Sequence, residues 1–285
     1  MTTNASRPTL KLLLIADSDS QLLACEAICS APTALNVDWS INVIPRDGTP
    51  QALLQRLSER ATLRHQNLAP LLRDQRLKSF DAIGVFLTGS KLNDIRVALQ
   101  RDRQRPLLFC GFNGVVLDHF IEGVSWRLGY DLICLSGPRD QEALEQLVAG
   151  TPFAQQCTVL TGLRRNAPST DLIPLTERPR RLVFAEQVIM PASTSERARL
   201  VRLLSDLARR SPNWEVLIKP RIAPGNATFH DVDTHISTTL KQSLGVPPAN
   251  LRLDYRPLPE LLKQARLLAT LSSTAFFDAL DFGCR

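Results

Sequence analysis

The chain has few aromatic residues, 6% of its 285, and only four histidines. Sparse aromatics argue against a base-stacking platform for single-stranded nucleic acid. No run approaches the roughly 18 to 20 apolar residues that a membrane-crossing helix needs. The six cysteines show no Cys-x-x-Cys knuckle, and the histidines (His65, His119, His230, His235) show no zinc-binding spacing on a helix. Also missing are Gly-x-Gly-x-x-Gly, Gly-x-Ser-x-Gly, the Walker A pattern and His-Glu-x-x-His. Their absence disfavours a dinucleotide fingerprint, an α/β hydrolase, a P-loop ATPase and a zinc protease. There is no repeat of 20 to 50 residues and no low-complexity tract. A polar start precedes the first apolar run with no small-residue cleavage pattern, so that run reads as a strand, not a signal peptide, and a cytoplasmic location is expected.

What is present is globular composition, 44% apolar and 22% charged. Cys25 and Cys29 lie four apart on one face of a helical pattern, and the cysteines read as reduced thiols of the core. The charge is uneven. Residues 1–177 hold 18 Lys and Arg against 18 Asp and Glu, whereas 178–285 hold 16 against 10, the whole excess of +6. A basic second half suits an anionic ligand, although scattered arginines such as Arg209 and Arg210 also suit a solvated helix face.

Short apolar runs alternate with amphipathic ones. Strands are expected at 12–16, 39–44, 82–87, 106–112, 131–135 and 158–161, with helices at 18–30, 50–73, 91–102 and 139–148. The Pro- and Arg-bearing stretch 164–180 reads as a linker. The alternation resumes with strands at 182–184, 215–218, 251–254 and 267–271, and helices at 193–210, 232–244, 258–265 and after 274. Such alternation predicts an α/β protein with two tandem Rossmann-like domains, 1–163 and 181–285, each with a parallel sheet covered on both faces.

Ligands of open parallel sheets bind beyond the carboxyl ends of the strands. Four strand-to-helix turns therefore matter. Ser272-Ser273-Thr274 leaves an apolar run and enters a helix, so hydroxyls and free N–H groups converge as a phosphate requires, or simply cap the helix. Asp278 lies one turn beyond Thr274 on the same face and suits ribose hydroxyls. Lys219-Pro220-Arg221 presents two cations at another strand end, and the loop after it reaches His230. In the first domain, Asp17 and Asp19 occupy the first turn and are candidate general bases or an N-cap, while Gly111-Phe112-Asn113-Gly114 permits a close approach or a tight turn.

Two tandem α/β domains, a basic second domain, the late Ser-Ser-Thr turn and Asp278-Ala279-Leu280-x-x-Gly283 together resemble GT-B glycosyltransferases. Lys219-Pro220-Arg221 with Ser272-Ser273 is similar, more narrowly, to the His-Pro and Ser-Ser motifs of bacterial capsule and sialic-acid-type transferases, with Arg221 where those often have His. The resemblance implies a nucleotide-sugar donor held by Lys219, Arg221, His230, Ser272, Ser273, Thr274 and Asp278. It implies Asp17 or Asp19 as base, a glycan or lipid acceptor of polysaccharide biosynthesis, and neither an obligatory metal nor a cofactor. Asp17-Ser18-Asp19 spells Asp-x-Asp, but away from the expected donor site. It also implies further elements after the last helix, so a chain stopping at Arg285 is expected to have a shortened second domain. Peripheral attachment at the inner membrane is the alternative location. The competing functions are a noncatalytic binder of nucleic acid or an acidic partner through the basic half, with nucleic acid disfavoured, and a sugar-nucleotide epimerase.

Overall fold

A computed structural model describes residues 8–46, 49–114, 116, 119–162, 172–187, 190–224 and 234–285. The chain divides into two compact units, Met1–Arg164 and Arg165–Arg285.

The first unit runs β1 (Leu10–Ala16), α1 (Asp19–Ser30), β2 (Val37–Val43), α2 (Gln51–Ser58), β3 (Thr62–His65), α3 (Leu68–Leu71), β4 (Ala82–Val85) and α4 (Ser90–Gln100). It continues with β5 (Leu107–Gly111), α5 (Phe120–Ser125), β6 (Leu132–Leu135), α6 (Pro138–Val148) and β7 (Thr158–Leu160). Its seven strands lie in the order β3-β2-β1-β4-β5-β6-β7 and every pairing is parallel. Leu13 and Ile15 of β1 face one hydrophobic cluster, whereas Leu14 and Ala16 face another. Successive side chains of a strand point to opposite faces, so an unbroken apolar run is what a sheet buried on both sides requires.

The second unit contains β8 (Arg181–Ala185), α7 (Thr194–Arg210), β9 (Glu215–Lys219), α8 (Ile236–Leu244), β10 (Leu251–Leu253), α9 (Leu258–Leu262), β11 (Leu267–Ala269) and α10 (Ala275–Asp281). The order is β10-β9-β8-β11, again parallel throughout. Phe184, Val216 and Ile218 pack on one face, Val183 and Leu217 on the other. A capping box starts α7: Ser193 Oγ accepts the Glu196 N–H at 3.3 Å, and Glu196 Oε2 accepts the Ser193 N–H at 3.2 Å.

One expected element is overturned. The stretch 50–73 is not a single helix but α2, β3 and α3. Leu57 belongs to the cluster on one face of the sheet and Leu71 to the cluster on the other. Residues fourteen apart lie near one side of a continuous helix, so no such helix could serve both faces. Instead Thr62–His65 pairs with β2 as an edge strand. Helix α5 was unanticipated. Helix α8 begins at Ile236, and residues 232 and 233 of the expected helix lie outside the described residues.

Within 172–180, Arg178 is only 2% exposed. Its guanidinium donates to the carbonyls of Ile173 (2.7 Å), Ala265 (2.9 Å), Phe282 (2.9 Å) and Leu262 (3.3 Å). Cys25, Cys110 and Cys284 are free and buried, Cys29 and Cys134 half-buried, and Cys157 exposed. Burial pushes the Cys29 thiol up to about 11, so it is protonated near neutrality.

Candidate functional site

In the second unit the carboxyl ends of β9, β8 and β11 lie side by side. β9 ends in Lys219 and runs into Pro220 and Arg221, while β11 runs into Thr270 and Ser272. Between them, β8 runs into Glu186 and Gln187. The Glu186 N–H donates to the Lys219 carbonyl at 3.0 Å. On the other side, Thr270 Oγ1 donates to the Ala185 carbonyl at 3.2 Å. Lys219, Arg221 and the 272–274 turn therefore share one sheet edge, flanking the end of β8.

The two residues that end β8 reach to opposite sides. Glu186 Oε2 accepts the backbone N–H of Arg221 at 3.1 Å. Gln187 Oε1 accepts the Ser272 N–H at 2.8 Å, and its Nε2 donates to Ser272 Oγ at 3.3 Å. The Glu186 side chain is 7% exposed and its Oε1 lies 3.7 Å from Nη1 of the equally buried Arg197. Burial raises the Glu186 carboxyl above its ordinary range, against the pull of the Arg221 N–H, Arg197, His235 and Lys219. Burial, then repulsion from Arg221, lowers the half-buried Lys219 ammonium, with Glu186 and Asp254 opposing. Lys219 Nζ also donates to the Pro220 carbonyl at 2.5 Å.

His235 caps α8. The Ser237 N–H donates to its Nδ1 at 3.1 Å, which leaves Nε2 as the donor to the Ile222 carbonyl at 3.0 Å. The ring also stacks on Tyr255 at 6.3 Å. His230, the histidine singled out from sequence, lies outside the described residues.

Ser272 and Thr274 are exposed and Ser273 is half-buried. Ser273 Oγ accepts the Ala275 N–H at 3.2 Å. Thr274 precedes α10 in helical conformation and makes no side-chain cap, and Asp278 is half-buried in the helix.

In the first unit, Asp17 follows β1 at the same kind of edge. Its side chain is 5% exposed and is held by Lys91 Nζ at 2.5 Å and Arg46 Nη1 at 4.0 Å. Its N–H donates to Gln21 Oε1 at 2.7 Å. Asp19, half-buried, opens α1, and its Oδ1 accepts the Ser20 N–H at 2.8 Å. Asn113 Nδ2 donates to the Phe86 carbonyl at 2.8 Å across the next strand ends. Among the described residues, no three His, Cys, Asp or Glu side chains gather as a metal site, and no helix is long and apolar enough to cross a membrane.

Sequence reasoning missed Glu186, Gln187, Arg197, His235 and Lys91. A polar pair directly after the apolar run 182–185 was the available signal for the first two.

Two parallel α/β units with this strand order define a GT-B-like fold, and solved structures agree. A "putative UDP-N-acetylglucosamine 2-epimerase from Listeria monocytogenes" matches with TM-score 0.64 and 12% identity, over 97% of this chain and 78% of that one. The UDP-GlcNAc 2-epimerase from Neisseria meningitidis bound to UDP-GlcNAc matches at 0.59 and 11%, over 96% and 81%. The lipopolysaccharide outer core galactosyltransferase WaaB matches at 0.58 and 13%, over 96% and 79%. At these identities the likeness concerns the fold. No curated protein matches the chain. Residues 12–285 match the model of the family described as "Putative glycosyltransferase (DUF6716)", and the chain belongs to that family.

Proposed function

We propose that the protein transfers a sugar from a nucleotide-activated donor to a glycan or lipid acceptor without a metal ion. Support comes chiefly from one observation: the Lys219-Pro220-Arg221 turn and the Ser272-Ser273-Thr274 turn flank the end of β8 on one sheet edge. Cations and hydroxyls on one edge suit the phosphate groups of a leaving nucleotide. As the bond from the anomeric carbon to the phosphate oxygen breaks, its electron pair stays on the phosphate, where Lys219 and Arg221 stabilise the growing charge. Ser272, Ser273 and Thr274 donate hydrogen bonds to the same group, Asp278 accepts from the ribose hydroxyls, and His230 completes the donor set. Asp17 or Asp19 takes the proton from the acceptor hydroxyl as its oxygen bonds to the anomeric carbon. The reaction takes place in the cytoplasm or at the inner face of the membrane.

Calorimetric titration with nucleotides and nucleotide sugars tests this. At least one nucleoside diphosphate should bind. Ser273→Ala should weaken it about fivefold, the worth of one hydrogen bond, and Lys219→Ala about tenfold or more, as a charge-assisted contact would. Absence of binding by every nucleotide, or unchanged affinity in both variants, removes the reading. A second reading is favoured by a specific observation, since two of the similar structures are described as UDP-N-acetylglucosamine 2-epimerases. Product analysis separates them: a transferase yields a glycoside and free nucleotide, an epimerase an isomer of the nucleotide sugar.

A further inference from the structure

Glu186 and Gln187 have no part in the chemistry above, yet they occupy the centre of the edge. Adjacent in sequence at the end of the central strand β8, they bond to the two turns that flank it: Glu186 to the Arg221 N–H, and Gln187 to both the N–H and the hydroxyl of Ser272. Neither flanking turn continues the sheet, so beyond Lys219 and Ala269 the strand ladder no longer fixes the backbone. A carboxylate beside a proposed phosphate site is unfavourable on charge alone. Its retention at 7% exposure, against Arg197, calls for another reason.

We infer that Glu186 and Gln187 are positioning residues, a two-residue strut that sets the spacing between the cationic turn after β9 and the hydroxyl turn after β11. Glu186 acts as a hydrogen-bond acceptor for the Arg221 amide, with Arg197 holding its other oxygen. Gln187 acts as acceptor and donor for Ser272. Neither touches the ligand. Their effect on an anion passes through Lys219, Arg221 and Ser272, so the inference rests on the donor site proposed above.

The sign of the effect distinguishes positioning from charge. Removing an acid from a phosphate site should tighten anion binding if charge alone mattered. A positioning role requires the opposite. We expect Glu186→Ala to raise the Kd for UDP about tenfold, Gln187→Ala about fivefold, and Glu186→Gln, which keeps an acceptor oxygen for the Arg221 N–H, to leave it within about twofold. Backbone amide exchange in the ligand-free protein gives a second measure. Arg221 should exchange at least about tenfold faster in Glu186→Ala and at the native rate in Glu186→Gln, and the Ser272 amide should accelerate in Gln187→Ala alone. UDP binding in Glu186→Ala as tight as in the wild type, or unchanged exchange at both amides, overturns the strut. If the wild type binds neither UDP nor any other nucleotide, the donor reading falls and the exchange rates alone decide whether the two residues hold the turns. If Glu186→Ala fails to fold, the Gln187→Ala pair of measurements decides the matter by the same criteria.

Discussion

Each unit ends its first strand with alanine and then an acid, Ala16-Asp17 after β1 and Ala185-Glu186 after β8, and each carries an arginine no more than 3% exposed that donates to backbone carbonyls, Arg127 in the first and Arg178 in the second. The means by which the acid is neutralised differ. Asp17 has a lysine at 2.5 Å from the start of α4, with Arg46 beyond. Glu186 has its cation at 3.7 Å, accepts a backbone N–H, and stays raised above the ordinary carboxyl range by burial. In the first unit, then, the acid is tied into a close ion pair. In the second the acid is buried beside Arg197 and bonded to the backbone N–H of the turn that carries Arg221. The donor site is proposed at the second edge because a cationic turn and a hydroxyl turn flank the end of β8 there.

The two arginines offer the strongest way to break the parallel. Arg178 serves four carbonyls, those of residues 173, 262, 265 and 282. Arg127, 3% exposed, serves two, Gly111 (3.1 Å) and Gly123 (2.6 Å), and lies 3.9 Å above the Phe112 ring centroid. Leaving buried acceptors without donors costs about 1 to 3 kcal/mol each, partly offset because a charge no longer has to be buried. Arg178→Met should therefore destabilise the second unit by about 4 kcal/mol, and Arg127→Met the first unit by about 2 kcal/mol. Amide exchange under rising urea, followed by peptide, reads each unit separately. Equal losses would show that the carbonyl count does not set the difference.

Next in size is the Asp17 pair. Lys91→Met would strand a carboxylate that is 5% exposed, with only the more distant Arg46 left. Breaking a fully buried pair costs roughly 3 to 5 kcal/mol; because the Lys91 side chain is 43% exposed, about 2 kcal/mol is expected. Urea unfolding at neutral pH checks this. A variant as stable as the wild type at pH 7 would mean that Asp17 needs no such partner.

The sheets were legible because burial on both faces leaves an unbroken apolar run, as in Leu13-Leu14-Ile15-Ala16 and in 182–184. The stretch 50–73 was not, since leucines spaced for a helix do not reveal that Leu57 and Leu71 belong to opposite faces. Looking beyond strand ends found Lys219, Arg221 and Ser272, which the structure sets along one edge. It passed over Glu186 and Gln187, because their partners are 35 and 85 residues away and only parallel pairing brings them near. The Asp17–Lys91 contact, 74 residues apart, was hidden in the same way, since it depends on β1 lying beside β4.

The smallest expected effect has the opposite sign and sharpens the comparison most. Burial raises the folded-state pKa of Glu186 above its unfolded value. Below the unfolded value both states hold the proton, and the residue makes no pH-dependent contribution. As pH rises from the unfolded pKa through the folded one, ionisation costs the folded state more than the unfolded one, so stability falls across that window and a penalty is present at neutral pH. Glu186→Gln removes the ionisation and keeps an acceptor for the Arg221 N–H. The variant should match the wild type near pH 4 and exceed its stability at pH 7, whereas Asp17→Asn, which dissolves a close pair with Lys91, should lose stability at pH 7. Chemical denaturation of both variants at the two pH values gives the signs directly. A Glu186→Gln protein less stable than the wild type at pH 7 would mean that attraction to Arg197 outweighs burial, and the two acids would then be neutralised alike.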